Sequence, residues 1–414
     1  MRKFLLLFFV ATMGMAQEQS VDLSLGAGYV NDVFYKLSDG TNSSFERSQW
    51  DVAFYRVSIY DQGIRINHGK GLNLYEASSD IREWNTIDAS NLEDYTLLYN
   101  SDVSWSFGAF NTGSASEGWG VYNSVNHHVI GSVIFLIEDV STENIYKFMI
   151  EDYFGGYTIK YALWNGSSWG ADQTNVISNT ENSNKFFNYL NLTTNELIDA
   201  SPAMDGWDLK FTKYSTKVPT KDGDMLPYTV MGVLHNPNVV AAKVEESVDA
   251  DFADTNTLNF SEDMNTIGYN WKALNSNWKY EIVPDRVFYV KSDDIVYRFY
   301  FTSFEGSSTG NLSLNVEKEN LSTLDVSGNV KFAVYPNPVT QDQVTLVYDN
   351  ATNISNKIQV EIYNMTGQKV YETSLNRSAG LFQRTLKLNN LAQGTYILRV
   401  ISGNDIKSEK LIIK

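Results

Sequence analysis

Apolar and polar residues alternate over short distances along most of the chain. Trp50, Val52 and Phe54 fall on one face of an extended segment, and Asp51 and Ala53 fall on the other. Similar runs of aromatic and β-branched residues recur, separated by turns rich in Asn, Gly and Asp. No long stretch has the period of an amphipathic helix. The pattern therefore predicts an all-β protein.

Three landmarks of the first half recur in the same order in the second half, which indicates an internal repeat. In the first landmark, residues 34–37 and 50–54 recur as 189–192 and 207–211. In the second, Trp119 and Tyr122 recur as Trp278 and Tyr280, and in the third, residues 146–148 recur as 297–299. This collinear recurrence predicts two tandem antiparallel β domains, residues 17–180 and 181–325. Chance spacing of common aromatic residues is the alternative.

Each copy of the repeated strand carries an Asp directly after its Trp, at Asp51 and at Asp208. A carboxylate beside a core tryptophan is expected to accept hydrogen bonds from a neighbouring turn. The position therefore favours a buried anchoring role for both residues over a catalytic one.

The C-terminal segment carries four landmarks in a fixed order. They are Tyr335-Pro336-Asn337-Pro338, the strand and turn 360–368, the segment 391–400, and the final Leu411-Ile412-Ile413-Lys414. This order resembles the type A C-terminal sorting domain of the type IX secretion system of Bacteroidetes. The resemblance implies an immunoglobulin-like β-sandwich at 330–414 that engages the secretion machinery. An ordinary small β-sandwich with no sorting role is the alternative.

The first sixteen residues have the layout of a secretory signal peptide. A basic start, Met1-Arg2-Lys3, precedes the apolar run 4–10, and Gly14-Met15-Ala16 supplies small residues for cleavage. A retained membrane anchor is the alternative, which the cleavage-like site disfavours. No later stretch has about 18 consecutive apolar residues, so we expect no transmembrane span. The two ends together predict Sec export to the periplasm and a final location outside the cell or on the outer-membrane surface.

Composition excludes several classes of function. The chain has 414 residues, a formal net charge of −17 and no Cys. The negative charge repels phosphates and argues against a nucleic-acid partner. The lack of Cys rules out disulfides, Cys metal sites and Cys nucleophiles. No arrangement of residues points to a catalytic triad or to paired catalytic carboxylates, so we expect no enzyme, no catalytic residues and no separate metal site.

The repeated strand also carries a family resemblance. A Tyr-x-Leu entry, Trp50-Asp51-Val52-Ala53-Phe54, and then Ile64-Arg65-Ile66-Asn67 before a turn with Gly are similar to the HmuY-like haem-binding family. The match runs from about Val33 to Tyr157 and is looser in the second half. The resemblance implies all-β secreted or surface proteins that capture haem between axial side chains.

Four histidines are the candidate cofactor-binding residues, because haem iron is commonly held by His or Met. They are His68, His127, His128 and His235. His68 and His235 follow the two copies of the repeated strand, at corresponding places. A solvated or hydrogen-bonded His is the alternative for each.

The sequence therefore favours an exported surface protein that binds haem for iron acquisition. The alternative is a non-haem adhesin, glycan-binding or structural module on the same scaffold. Trp164 and Trp169 could stack on sugar rings or a porphyrin, or pack on each other within one hairpin.

Overall fold

The computed structural model describes residues 18–179, 184–250, 252–293, 295–319, 330–339, 342–350, 357–376, 380–402 and 405–414. Within these residues the secondary structure consists of β-strands, turns and short 3-10 helices, which confirms the all-β prediction. The chain forms two compact units, one that ends at Glu319 and one that follows it.

The first unit contains the strands β1 to β23. They are β1 Gln19–Ser24, β2 Asn31–Tyr35, β3 Asn42–Glu46, β4 Val52–Tyr55, β5 Ile64–Ile66, β6 Leu72–Ser78, β7 Thr96–Leu98, β8 Gly120–Tyr122, β9 Val129–Gly131, β10 Ile134–Asp139, β11 Asn144–Tyr153, β12 Gly156–Leu163, β13 Gln173–Ser178, β14 Phe187–Asn191, β15 Glu196–Ile198, β16 Leu209–Pro219, β17 Met225–His235, β18 Val240–Glu245, β19 Lys272–Leu274, β20 Tyr280–Ile282, β21 Arg286–Ser292, β22 Ile295–Phe304 and β23 Asn311–Lys318. The short 3-10 helices are Ala27–Tyr29, Arg47–Gln49, Ile81–Asn85, Leu92–Asp94, Ala109–Thr112, Thr255–Thr257 and Gly306–Ser308.

Two large antiparallel sheets in this unit have the same strand order. One runs β13-β12-β11-β10-β6, continuing to β7, and the other runs β1-β23-β22-β21-β18. The register agrees as well: Phe135 pairs with Phe148 in one sheet, and Phe288 pairs with Phe299 in the other. Both sheets have an irregularity at the same place, after Ile150 and after Phe301. The two sheets are therefore structural counterparts, strand by strand.

In two other sheets, each half of the chain contributes a strand that pairs with a strand of the other half. β14, from the second half, pairs with β4 of the first, and β2, from the first half, pairs with β16 of the second. The hydrophobic cores follow this exchange. One core draws on residues 52–192, here called the first lobe. The other draws on 21–37 together with 209–316, here called the second lobe.

The cores therefore divide the chain at different places from the predicted boundary at 180/181, which falls inside the first lobe. β1 and β2, from the predicted first domain, complete the second lobe, and Leu190 and Leu192, from the predicted second domain, complete the first lobe. The reason is that a strand can complete a neighbouring sheet as well as its own, and periodicity does not tell the two apart. The domain bounds 17–180 and 181–325 stay a prediction, and so does homology between the two halves.

The two Asp residues of the repeated strand fix this exchange by matching contacts. Asp51 accepts the backbone N–H of Leu192 at 2.7 Å, and Asp208 accepts that of Leu37 at 2.8 Å. Both carboxylates are buried, and each also pairs with a lysine, Lys70 for Asp51 and Lys36 for Asp208. The predicted anchoring role of both carboxylates is confirmed.

Of the other two landmarks of the repeat, the third pairs equivalent residues and the second does not. The third landmark pairs true counterparts, because Lys147 of β11 and Arg298 of β22 hold equivalent positions in the register of the two sheets. Both side chains are buried, which the landmark did not predict. The second landmark is wrong, because Trp119 is fully buried whereas Trp278 is 84% exposed. The buried tryptophan that precedes β19, as Trp119 precedes β8, is Trp271.

Over its described residues, the second unit is a two-sheet sandwich of seven strands. They are β24 Val330–Tyr335, β25 Gln343–Asn350, β26 Lys357–Asn364, β27 Lys369–Asn376, β28 Gly380–Lys387, β29 Gly394–Ser402 and β30 Asp405–Ile413. One sheet has the order β24-β25-β28 and the other β27-β26-β29-β30. Residues of both sheets, among them Leu346 and Val360, form one shared core.

Candidate functional site

His68 lies in the turn between β5 and β6, and both of its ring nitrogens are engaged. Nδ1 is 3.0 Å from the carbonyl oxygen of Leu72, and Nε2 accepts the backbone N–H of Asn100 at 3.3 Å. Burial lowers the pKa of His68 to about 4, so the ring is neutral at pH 7. An iron atom would have to displace one of these hydrogen bonds.

His235 ends β17 and is likewise enclosed by backbone. Nδ1 lies 3.0 Å from the carbonyl oxygen of Asn236, and Nε2 lies 2.8 Å from that of Asp263. Burial lowers the pKa of His235, opposed in part by these two contacts. The side chain is 1% exposed, which leaves no approach for a ligand without local unfolding.

The corresponding residues of the two turns are asparagines and not the two histidines. Asn67 donates from Nδ2 to the carbonyl oxygen of Trp50 at 2.8 Å, and Asn236 does the same to Trp207 at 2.8 Å. His68 follows its Asn, whereas His235 precedes its Asn. When Asn67 and Asn236 are aligned, the two histidines fall on opposite sides of the aligned position. The expected correspondence between His68 and His235 is therefore wrong.

His127 occupies the tip of the β8–β9 hairpin in an unusual backbone conformation. Its φ is 63°, in the left-handed region, and the turn is closed by hydrogen bonds between Asn123 and residues 127 and 128. Nδ1 is 2.6 Å from the hydroxyl of Tyr122. The ring is exposed, and the described residues offer Nε2 no hydrogen-bond partner.

The His128 side chain contacts Asp152 and Phe154. Its Nδ1 lies 2.8 and 2.9 Å from the two carboxylate oxygens of Asp152. The imidazole stacks on Phe154, with ring centroids 4.6 Å apart and an interplanar angle of 6°. These contacts orient Asp152 and Phe154, both of which line the groove beside His127.

This aromatic groove is an open cavity of about 900 Å³ at one end of the first lobe. We define it by six of its lining residues: Ile59, Tyr60, Tyr122, His127, Phe154 and Val176. Tyr60 is 82% exposed, Val176 72% and Phe154 64%. So much exposed apolar surface in one place is typical of a binding site on a soluble domain. Among the four histidines, His127 is the one that lines it.

A second cavity, of about 750 Å³, lies beside the Trp164–Trp169 hairpin. We call it the tryptophan cleft and define it by Asn85, Asp88, Lys147, Trp164, Trp169 and Asp172. The ring centroids of Trp164 and Trp169 are 4.9 Å apart, so the two indoles pack on each other, as one of the two interpretations of the sequence expects. They are half-buried, and each keeps part of its surface open to the cleft.

A third, small cavity of about 50 Å³ lies between the lobes, beside a buried charge cluster. Asp32 is bound by Arg47 at 2.7 Å and by Lys210 at 2.9 Å. Burial disfavours the carboxylate, but these two cations outweigh it and lower the pKa of Asp32 to about 2. The carboxylate is therefore charged and paired, and it ties β2 to β16 and to the turn that follows β3.

Among the residues that the structure describes, no group of three or more His, Asp or Glu side chains could hold a metal ion. Over the same residues, none of the helices has the length and apolar character needed to cross a membrane. The predicted signal peptide, residues 1–16, lies outside the described residues.

Sequence reasoning missed most of the aromatic groove. Tyr60 and Phe154 come from connections 94 residues apart, and neither belongs to a periodic pattern that marks it as exposed. It also missed Lys147 as the floor of the tryptophan cleft, because a Lys within a strand is usually solvated.

The comparison with known families bears on the second unit. Residues 333–414 match a family described as the secretion system C-terminal sorting domain. No curated protein matches the chain. The match confirms the resemblance of the C-terminal segment and implies interaction with the type IX secretion machinery. The chain therefore carries a C-terminal sorting domain at residues 333–414, which supports type IX export of a Bacteroidetes protein to the cell surface or the medium.

Proposed function

We propose that this exported chain is a ligand-binding protein without enzymatic activity, and that its aromatic groove takes haem. The N-terminal residues 1–16 would supply the Sec signal that precedes type IX export. The observation that carries the haem proposal is the position of His127. It combines an exposed Nε2 with aromatic walls on which a flat ring can lie.

The chemistry of the groove fits a porphyrin in two respects. The lining is mostly apolar, which suits the macrocycle, and aromatic residues such as Tyr60 and Phe154 offer faces for stacking. The Tyr122 hydroxyl, 2.6 Å from Nδ1 of His127, would orient the imidazole and hold Nε2 outward. When bound, haem would supply iron as the cargo of an acquisition system.

The other three histidines do not have this combination. His68 and His235 have both nitrogens engaged by backbone, and His128 lies outside the groove lining. Of the four predicted cofactor-binding residues, the proposal therefore keeps His127 as the ligand and gives His128 a supporting role through Asp152 and Phe154.

A haemin titration of the purified full chain tests this proposal. The substitution His127→Asn removes the imidazole while Asn tolerates the left-handed backbone. Trp278→Asn is the matched control, since Trp278 also has a positive φ, 59°, at the tip of the β19–β20 hairpin. We expect a Soret shift with wild type and Trp278→Asn, and its loss with His127→Asn.

Two results would overturn the proposal. If wild type gives no Soret shift with haemin, the groove does not take haem. If iron-free protoporphyrin binds as tightly as haemin, or His127→Asn keeps the shift, then His127 does not ligate iron.

A further inference from the structure

The floor of the tryptophan cleft is a buried ammonium group with unused hydrogen-bonding capacity. Lys147 is 2% exposed, and its Nζ donates to the carbonyl oxygen of Trp84 at 2.8 Å. That is the one hydrogen bond that the described residues give it, although an ammonium has three N–H donors. Burial lowers the pKa of Lys147, as expected for an ammonium with few acceptors. A ligand oxygen in the cleft would restore an acceptor.

The indoles around this ammonium are held in fixed orientations. Nζ of Lys147 lies 4.4 Å from the ring centroid of Trp84 and 5.0 Å from that of Trp169. The Trp169 indole N–H donates to the carbonyl oxygen of Ile87 at 2.7 Å. Binding would therefore require little reordering of the walls.

The lining of the cleft also contains polar side chains. Asp172 accepts the indole N–H of Trp84, with both of its oxygens 3.1 Å from that nitrogen. Since a carboxylate has about four lone-pair sites, Asp172 keeps capacity for further donors. Asn85, Asp88, Ser167 and Ser168 add amide, carboxylate and hydroxyl groups to the same lining.

Aromatic faces, carboxylate acceptors and a buried donor in one cleft point to a class of ligand. A pyranose ring presents a flat C–H face to an aromatic side chain and hydroxyl groups, both donors and acceptors, around its edge. We propose that the tryptophan cleft binds a neutral pyranose unit of an oligosaccharide or polysaccharide. Trp164 would stack on the ring, Lys147 would donate to a hydroxyl oxygen, and Asp172 would accept a hydroxyl hydrogen.

The charges select a neutral sugar over an acidic one. The cleft lining contains two carboxylates, Asp88 and Asp172, and one ammonium, Lys147. The nearby ammonium of Lys160, 4.5 Å from the Trp84 ring centroid, is already paired with Glu151. With a net charge of −17 on the whole chain, a uronic or sulfated sugar would meet repulsion as it approached. The cleft shares no lining residue with the aromatic groove, so this proposal stands or falls independently of haem.

Binding of the purified full chain to immobilised neutral and acidic oligosaccharides tests the proposal, with isothermal titration of any neutral hit. Arms with bacterial and with animal-type neutral glycans distinguish the source of the ligand. We expect at least one neutral oligosaccharide to bind, and Trp164→Ala to weaken it about tenfold or more, as loss of an aromatic stack and its buried area implies.

Two further variants keep the test decisive. Asp172→Asn preserves the shape of the side chain and an acceptor for Trp84, and it should weaken binding with no change in thermal stability. Trp278→Ala, at an exposed tryptophan outside the cleft, should bind like wild type. Binding of acidic sugars alone, no sugar binding, or equal affinity in wild type, Trp164→Ala and Asp172→Asn would each overturn the proposal.

Discussion

Removal of the Asp208 carboxylate tests whether the reciprocal strand exchange holds the first unit together. Asp208 is 1% exposed and accepts three hydrogen bonds. They come from the backbone N–H of Leu37 at 2.8 Å, from Nζ of Lys36 at 2.9 Å and from the hydroxyl of Ser292 at 2.7 Å. The first two donors lie directly after β2, the strand that crosses into the second lobe.

The substitution Asp208→Ala would leave these donors without their acceptor. A buried N–H with no partner costs about 1–3 kcal/mol, and the hydroxyl adds about 1 kcal/mol. Lys36 is 16% exposed, so water replaces part of its interaction. We therefore expect a loss of about 3–5 kcal/mol in the free energy of unfolding, the range for breaking one side of a buried ion pair.

Tryptophan fluorescence during urea unfolding is the appropriate assay. All nine tryptophans lie between Trp50 and Trp278, so the signal reports on the first unit alone. Asp205→Ala, at an exposed position three residues earlier, is the control and should change stability by less than about 0.5 kcal/mol. A loss below about 1 kcal/mol for Asp208→Ala, with the control unchanged, would refute the anchoring role.

Three further predictions follow from the same structure. Asp51→Ala should cost about 2–4 kcal/mol in the same assay, somewhat less than Asp208→Ala, because its carboxylate receives the Leu192 N–H and Lys70 but no hydroxyl. A loss for Asp208→Ala with none for Asp51→Ala would show that the two anchors are not equivalent. Burial holds the pKa of His68 at about 4, against about 6.5 when unfolded, so the unfolded chain binds the proton first as pH falls. Stability should therefore decline from pH 6.5 to pH 4 by up to about 3 kcal/mol, and His68→Gln should flatten this decline; an unchanged slope would contradict the assignment. Deletion of residues 330–414 should leave the tryptophan-detected urea midpoint unchanged, because these residues lie in a separate compact unit; a lower midpoint would show that the units depend on each other.

The local pattern of the chain was informative where each residue's environment is set by its own strand. Alternation predicts the all-β class, and the Trp-Asp strand predicts the two buried carboxylate anchors that the structure contains. The sorting domain was recognisable because its turns and strands follow a fixed order within about eighty residues.

Features that depend on long-range pairing were not accessible in the same way. Periodicity predicts that residues 31–35 form a strand. It does not tell whether this strand, β2, pairs with a strand nearby or with β16 some 175 residues later. The second landmark failed because Trp271, like Trp119, is a core residue, whereas Trp278 sits at an exposed hairpin tip. Trp271 and Trp278 are both flanked by Asn and Lys, so the local sequence does not tell them apart. The groove was missed because its walls come from separate connections.

Localisation of the chain with and without its C-terminal unit tests the central claim most directly. In the source bacterium, the full chain and a form lacking residues 333–414 would be followed by cell fractionation and by protease accessibility on intact cells. We predict that the full chain reaches the cell surface or the medium. The shortened chain should stay folded in the periplasm, where added protease does not reach it. Equal surface exposure of the two forms would contradict the account.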